Sequence, residues 1–216
     1  MMEAFVITNG RSTFNYSIRS LEEQDKKIKI TVIRDMKWVD AVNECIKLCE
    51  SPYFVRVDDD MFLHPLCISY MHEMISKKKK KICAYSYRLW EDWQNKIAGR
   101  VKVYNKSLVK RMGGFTANKF GKIDKNFSAV AHKRKFRIRK DSSIVGIHAC
   151  GSWAEQQRYR EIWATENATV RLIRPKKYLR SQKKYKKELD TQYSILRKLK
   201  KKNKQMKTNF YAFMGG

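Results

Sequence analysis

The sequence has 216 residues, 43% of them hydrophobic and 12% aromatic, which is enough apolar side chain for a packed core and excludes a globally disordered chain. At about 100 to 200 residues per domain, this length allows one globular unit plus an appendage. Its 48 Lys and Arg against 21 Asp and Glu leave a net charge of +27, a surplus that says little about fold but favours polyanionic partners such as nucleic acid or an anionic membrane.

Residues 4–8 (AFVIT) read as a continuous apolar strand, broken by Asn9-Gly10 ahead of Ser12 or Thr13. Either hydroxyl can cap a helix that carries Phe14, Ile18 and Leu21 on one face. Residues 28–34 (IKITVIR) form a second strand in which Ile28, Ile30 and Val32 alternate. Trp38, Ala41, Val42, Cys45, Ile46 and Cys49 then recur at helical spacing, and Ser51-Pro52 stops that helix. Residues 53–57 (YFVRV) make a third strand that runs into Asp58-Asp59-Asp60. Strands alternating with helices in this way predict an α/β fold with a mostly parallel, helix-covered, Rossmann-like sheet.

Beyond the triplet, Leu63, Cys67, Tyr70, Met71 and Met74 predict another helix, and residues 81–90 another strand. A short strand over 101–104, a turn or two of helix over 107–112 ended by Gly113-Gly114, and a late strand over 144–148 (IVGIH) complete the pattern. From about Ser181 the composition is that of a Lys-rich helix or mobile tail.

The basic surplus is unevenly spread. Residues 1–76 carry −3, residues 77–140 carry +18, residues 141–170 carry −2 and residues 171–216 carry +14. A uniform lysine bias would not spare the first third. The amino terminus lacks the basic segment of a secretory signal, and no run reaches the ~18 apolar residues of a membrane span. Five cysteines without a CxxC pair indicate neither a disulfide framework nor a zinc knuckle. A reducing, cytoplasmic setting is expected, which would be the host cytoplasm for a viral protein.

The acidic triplet carries the chemistry. Ligands of open α/β sheets bind beyond the carboxyl ends of the strands, where these carboxylates are expected. Adjacent carboxylates repel one another, and a hard divalent cation gives them a reason to coexist. Mg2+ or Mn2+ takes one or two protein carboxylates and completes its shell with water and phosphate oxygens.

The order AFVITNGR, helix, strand ending in Asp35, Ala-Val-Asn-Glu helix and YFVRVDDDMFLHP resembles the nucleotide-sugar half of a GT-A-fold glycosyltransferase, most similar to family 2. The triplet matches that family's DXD motif. The resemblance implies that Asp60 binds the metal and that Asp58 contacts the ribose or a metal-bound water at the margin of the metal shell. It also puts Asp59 in the donor-binding set and Asp35 beside the base of the nucleotide. Residues 103–115 (VYNKSLVKRMGGF) are similar to the stretch ending in Gly-Gly-Phe near the acceptor. Asp124, in DKNF, occupies the place of the Glu-Asp motif with Ile123 where the Glu would be, making it the candidate base. Asp92, which follows the strand over 81–90, is the fallback. His148 resembles the late-strand histidine that completes the metal shell, and an imidazole ligand favours manganese.

The resemblance implies a domain over residues 1–170, with a nucleotide-sugar half over 1–100 and an acceptor half over 101–170. A basic extension follows over 171–216. The expected reaction uses a nucleotide-sugar such as a UDP-sugar, and direct in-line attack inverts the anomeric configuration. Because the +18 segment lies on the acceptor side, a polyanionic acceptor is expected, and hydroxymethylated DNA of the phage type is the sharpest choice. An envelope or capsule glycosyltransferase held by its basic tail on anionic lipid is the alternative. A non-catalytic nucleic-acid-binding protein has no use for Asp58, Asp60 and His148 at strand ends. The oligomeric state is left open.

Overall fold

The computed structural model describes residues 2–77, 81–91, 96–117 and 123–149. The fallback base Asp92 and the whole of 150–216, including the basic extension, lie outside the described residues. Strand β1 (Met2–Thr8), helix α1 (Phe14–Glu22), β2 (Lys29–Arg34), α2 (Trp38–Leu48) and β3 (Tyr53–Asp58) follow the expected alternation. Every residue of β1 is buried, as a central strand covered on both faces requires. Of the alternating residues expected there, Ile28 and Ile30 pack partly buried against the core, whereas Val32 is exposed. β2 is an edge strand, and Ile33 is its buried residue.

Next come β4 (Met61–Leu63), α3 (Cys67–Ser76), β5 (Ile82–Glu91), β6 (Lys96–Asn105), α4 (Lys106–Arg111), α5 (Ile123–Lys133) and β7 (Arg137–His148). Two expectations need correction here. Leu63 lies on β4, not on the following helix, because Met61, Phe62 and Leu63 pair antiparallel with His148, Ile147 and Gly146. The late strand extends from Arg137, well before residue 144. Its first half carries charge on both faces, which hides the strand from any reading of apolar periodicity.

The seven strands form one sheet in the order β2-β1-β3-β6-β5-β7-β4. Pairing is parallel within β2-β1-β3 and between β5 and β7, while β6 and β4 run against their neighbours. Helices α1 and α3 cover one face, packing Leu21, Ile68 and Met71 on Val6, Val55 and Tyr87. On the other face α2, α4 and α5 cover Phe5, Phe54 and Tyr104 with Cys45, Val109 and Phe127. Gly113 and Gly114 end α4 at φ +90° and +80°, the left-handed conformation that glycine adopts without a steric cost. Cys45, Cys49, Cys67 and Cys83 are buried free thiols, and burial pushes Cys45 up to about 12, so these groups pack as small apolar side chains.

Candidate active site

The carboxyl ends of β1 and β3 meet at one edge of the sheet, with Ile7 in register with Asp58. The turn after β3 carries Asp59 and Asp60, both buried. Their roles separate at once. Asp59 Oδ2 accepts from the Thr8 hydroxyl at 2.7 Å and from the Asn9 amide at 3.3 Å, and its Oδ1 lies 3.5 Å from Arg11 Nε. The Thr8 hydroxyl in turn accepts from the Gly10 amide at 2.9 Å. Asp59 thus anchors the loop between β1 and α1.

Asp60 shares the same guanidinium. Its Oδ2 pairs with Arg11 Nη1, and its Oδ1 lies 3.2 Å from Nε2 of His148. The β4-β7 ladder delivers the imidazole by setting Met61 opposite His148, and the Ala149 amide donates to the Asp60 carbonyl at 2.7 Å. Gly146 permits this approach, since a Cβ there would stand 2.3 Å from the Phe62 carbonyl oxygen. Burial by itself would raise the Asp60 carboxyl, but the charges of His148 and Arg11 outweigh it and hold the group at about 2.

Asp58 behaves differently. Its Oδ1 lies 3.5 Å from Nε of Arg56, and burial, opposed by Arg56 and reinforced by Asp60, pushes its carboxyl up to about 6. Arg56 was not singled out from sequence, yet it links the two ends of the site. It is 6% exposed, packs 4.8 Å from the ring centroid of Trp38, and brings Nη1 to 3.9 Å from Asp124 Oδ1. Its signal was present, because an arginine inside YFVRV shares the inward face of Phe54 and Asp58. Arg11 and Lys102 were missed as well, and no local pattern marks either of them.

Asp124 lies in the first turn of α5, and Lys102 Nζ donates to its Oδ1 at 2.7 Å. Burial acts upward on this carboxyl, but Arg56 and Lys102 prevail and lower it. Asp35 follows the last residue of β2, on the same edge as Thr8, which is in register with Arg34. It is exposed and adopts φ +53°, a left-handed conformation in which Asp is several-fold enriched among non-glycine residues. The structure therefore brings Asp58, Asp60 and His148 to one place, joins Asp124 to them through Arg56, and leaves Asp35 further along the edge.

The residues present suit a divalent cation. Asp58 Oδ1 and Asp60 Oδ1 are buried, each beside one basic side chain, Arg56 Nε at 3.5 Å and His148 Nε2 at 3.2 Å, and neither accepts from a backbone amide or a hydroxyl, which leaves carboxylate lone pairs for an ion. Among the described residues no three His, Cys, Asp or Glu side chains form a complete metal-binding group. One or two carboxylates with a histidine is the set expected for an ion that takes the rest of its shell from water and phosphate.

No family model matches the sequence, and no curated protein matches it. Solved structures do. A mannosyltransferase from Pyrobaculum calidifontis, in complex with GDP-Man and Mn2+, matches with a TM-score of 0.55 at 11% identity, over 94% of this chain and 76% of its own. Residues 1–349 of S. aureus TarS, in complex with UDP-GlcNAc, match with a TM-score of 0.54 at 14% identity, over 82% and 69%. A cytidylyltransferase from Leptospira borgpetersenii matches with a TM-score of 0.52 at 9% identity, over 96% and 97%. At these identities the likeness is one of fold, and the chain has the GT-A-type, Rossmann-like α/β fold of these transferases.

Proposed function

We propose that the protein is a metal-dependent glycosyltransferase that moves a sugar from a nucleotide-sugar donor to a hydroxyl of a polyanionic acceptor, hydroxymethylated DNA, with inversion. The observation that carries this reading is the Asp60–His148 pair, 3.2 Å apart at the carboxyl edge of the sheet, beside the buried Oδ1 of Asp58. The nucleotide-sugars bound by two proteins of the same fold, one of them with Mn2+, support it.

Asp60 and His148, with Asp58 at the margin, would hold Mn2+ or Mg2+. The ion's contribution is charge compensation on the departing nucleoside diphosphate. Asp35 would lie beside the base and Asp58 near the ribose, while Asp59 keeps the β1–α1 loop in place through Thr8, Asn9 and Arg11. Asp124 would accept the proton of the attacking hydroxyl. Its two cationic neighbours keep it ionised, the state a base requires, but they also reduce its affinity for a proton. An acceptor that displaces Lys102 would therefore improve Asp124 as a base.

The test is incubation with a panel of nucleotide-sugars and Mn2+, with and without chelator, followed by measurement of nucleoside diphosphate and by mass analysis of nucleosides from hydroxymethylated DNA. Diphosphate release that disappears with chelator, and falls about 1000-fold or more in Asp60→Ala, is the expected result. Release of pyrophosphate from a nucleoside triphosphate and a sugar phosphate, with no diphosphate, would instead assign nucleotidyl transfer, the chemistry named for the Leptospira neighbour.

A further inference from the structure

Two rows of side chains cross the sheet on the face that carries α2, α4 and α5. The first is apolar: Phe54, Tyr104, Ala84 and Ile138 are in register on β3, β6, β5 and β7. Phe127 of α5 packs on it, its ring 5.4 Å from that of Tyr104. Two residues further along each strand, toward Asp58, the register brings Arg56, Lys102, Ser86 and Lys140 into line. A helix-covered sheet face thus changes in one step from core to cations.

The second row opens into a cleft of about 1350 Å3 between the sheet and α5, with Asp58 and His148 among its lining residues. Arg56, Arg100, Lys102, Lys125, Arg137 and Lys140 line it against only two carboxylates, Asp58 and Asp124. Those two are already shared between Arg56 and Lys102. Among the described residues, Arg100, Lys125, Arg137 and Lys140 make no ion pair. Nη1 of Arg56 is buried and has no hydrogen-bond partner. Like charges held in one concave surface raise its potential and call for anions from outside.

The shape of the cleft selects among polyanions. Lys125, Arg137 and Lys140 are exposed along the cleft, while Arg56 and Lys102 lie at its floor, 6% and 12% exposed, where a narrow extended strand reaches further than a flat bilayer surface. Phe136, Ala131 and Ile138 add an apolar wall to the same cleft, and cations beside an apolar wall are the combination that a sugar-phosphate backbone and its bases require.

We propose that this cleft binds one strand of a nucleic-acid acceptor, as a single-stranded or flipped-out nucleotide, with Arg56, Lys102 and Lys140 contacting its phosphates. The assignment rests on the transferase reading only for the fate of the bound hydroxyl. A phosphate on Lys102 and on Nη1 of Arg56 takes from Asp124 the two cations that now hold it. The carboxylate is then left facing the strand. For a hydroxyl carried on a base to reach Asp124, that nucleotide leaves the stack, as in other enzymes that act on a base.

The test is binding of the full chain to a fluorescent single-stranded oligonucleotide containing 5-hydroxymethylcytosine, and to its duplex, across a salt series without donor or metal. The single strand should bind more tightly. Lys140→Ala and Arg137→Ala should each flatten the dependence of log K on log salt by about 0.7, while Lys47→Ala, at an exposed position of α2, should leave it unchanged. Equal slopes for wild type, Lys140→Ala and Arg137→Ala would overturn the proposal and move the binding to another part of the chain. Displacement of the oligonucleotide by phosphatidylglycerol vesicles as effectively as by unlabelled strand would overturn the choice of nucleic acid. Asp60→Ala should bind the strand normally, so a failure of the transferase reading and a failure of the cleft remain distinguishable.

Discussion

The edge of the sheet around Asp60 and the face around Lys102 treat buried charge in opposite ways. At the edge, three aspartates are matched almost completely from within the chain: Asp59 by Thr8, Asn9 and Arg11, Asp60 by Arg11 and His148, and Asp58 by Arg56. Beyond Arg56 and His148, Asp58 Oδ1 and Asp60 Oδ1 accept from no backbone amide or hydroxyl. On the face, six Lys and Arg share two carboxylates, and the positive remainder is spread over a cleft. The charges at the edge are paired within the chain, whereas four of the six cations on the face make no ion pair among the described residues. Arg56 belongs to both, since it lies 3.5 Å from Asp58 and 3.9 Å from Asp124.

Removing each part separates the two. Asp60→Ala should cost about 1000-fold or more in nucleoside diphosphate release while strand binding stays intact. Equal loss of both would mean that edge and face form a single site. Arg56→Ala should be the most destabilising of these substitutions, by about 3–5 kcal/mol, because it leaves Asp58 buried without its cation. Urea unfolding monitored by circular dichroism reads that loss, and a shift below 1 kcal/mol would show that Arg56 is not the link.

The Asp58 carboxyl supplies a pH dependence. Its folded-state value, about 6, is raised above the ordinary 3.8, so the folded chain holds the proton more tightly than the unfolded chain does. The contribution to stability is therefore highest below about pH 4, falls as pH rises toward 6, and stays low above that. Asp58→Asn should consequently be more stable than wild type at pH 8 without metal, by up to about 3 kcal/mol, with the gap closing at pH 4. Unfolding curves at the two values, recorded with chelator, decide this, and a gap that does not change with pH would contradict it. Gly146→Ala, which drives a methyl group into the Phe62 carbonyl, should cost about 1–3 kcal/mol and displace His148 from Asp60. Wild-type Mn2+ affinity in that variant would show that the β4-β7 ladder does not position the imidazole.

Much of this was legible in residue order. Alternation of β1, α1, β2, α2 and β3 follows from short apolar runs and one clean helical face, so the carboxylates at the end of YFVRV could be assigned to the ligand-binding edge of a sheet before any coordinates. The glycines after α4 and the burial of Cys45 and Cys49 were equally local. β4 was hidden because three residues carry no periodicity, and the first half of β7 because RIRKDSS is charged on both faces. Arg11 could not be found, since nothing local to Asn9-Gly10-Arg11 says that its guanidinium ends on Asp60, 49 residues away.

The +27 charge marks the same boundary. Its distribution along the chain was enough to separate a slightly acidic beginning from a basic middle. Local composition and periodicity determine that much, along with the α/β alternation and the strand that presents the acidic triplet. Strand register alone decided that Arg56, Lys102 and Lys140 stand in one row above the core, and that His148 reaches Asp60 rather than the interior. Pairing between distant strands sets which charges share a cleft, and that information is carried by no single segment.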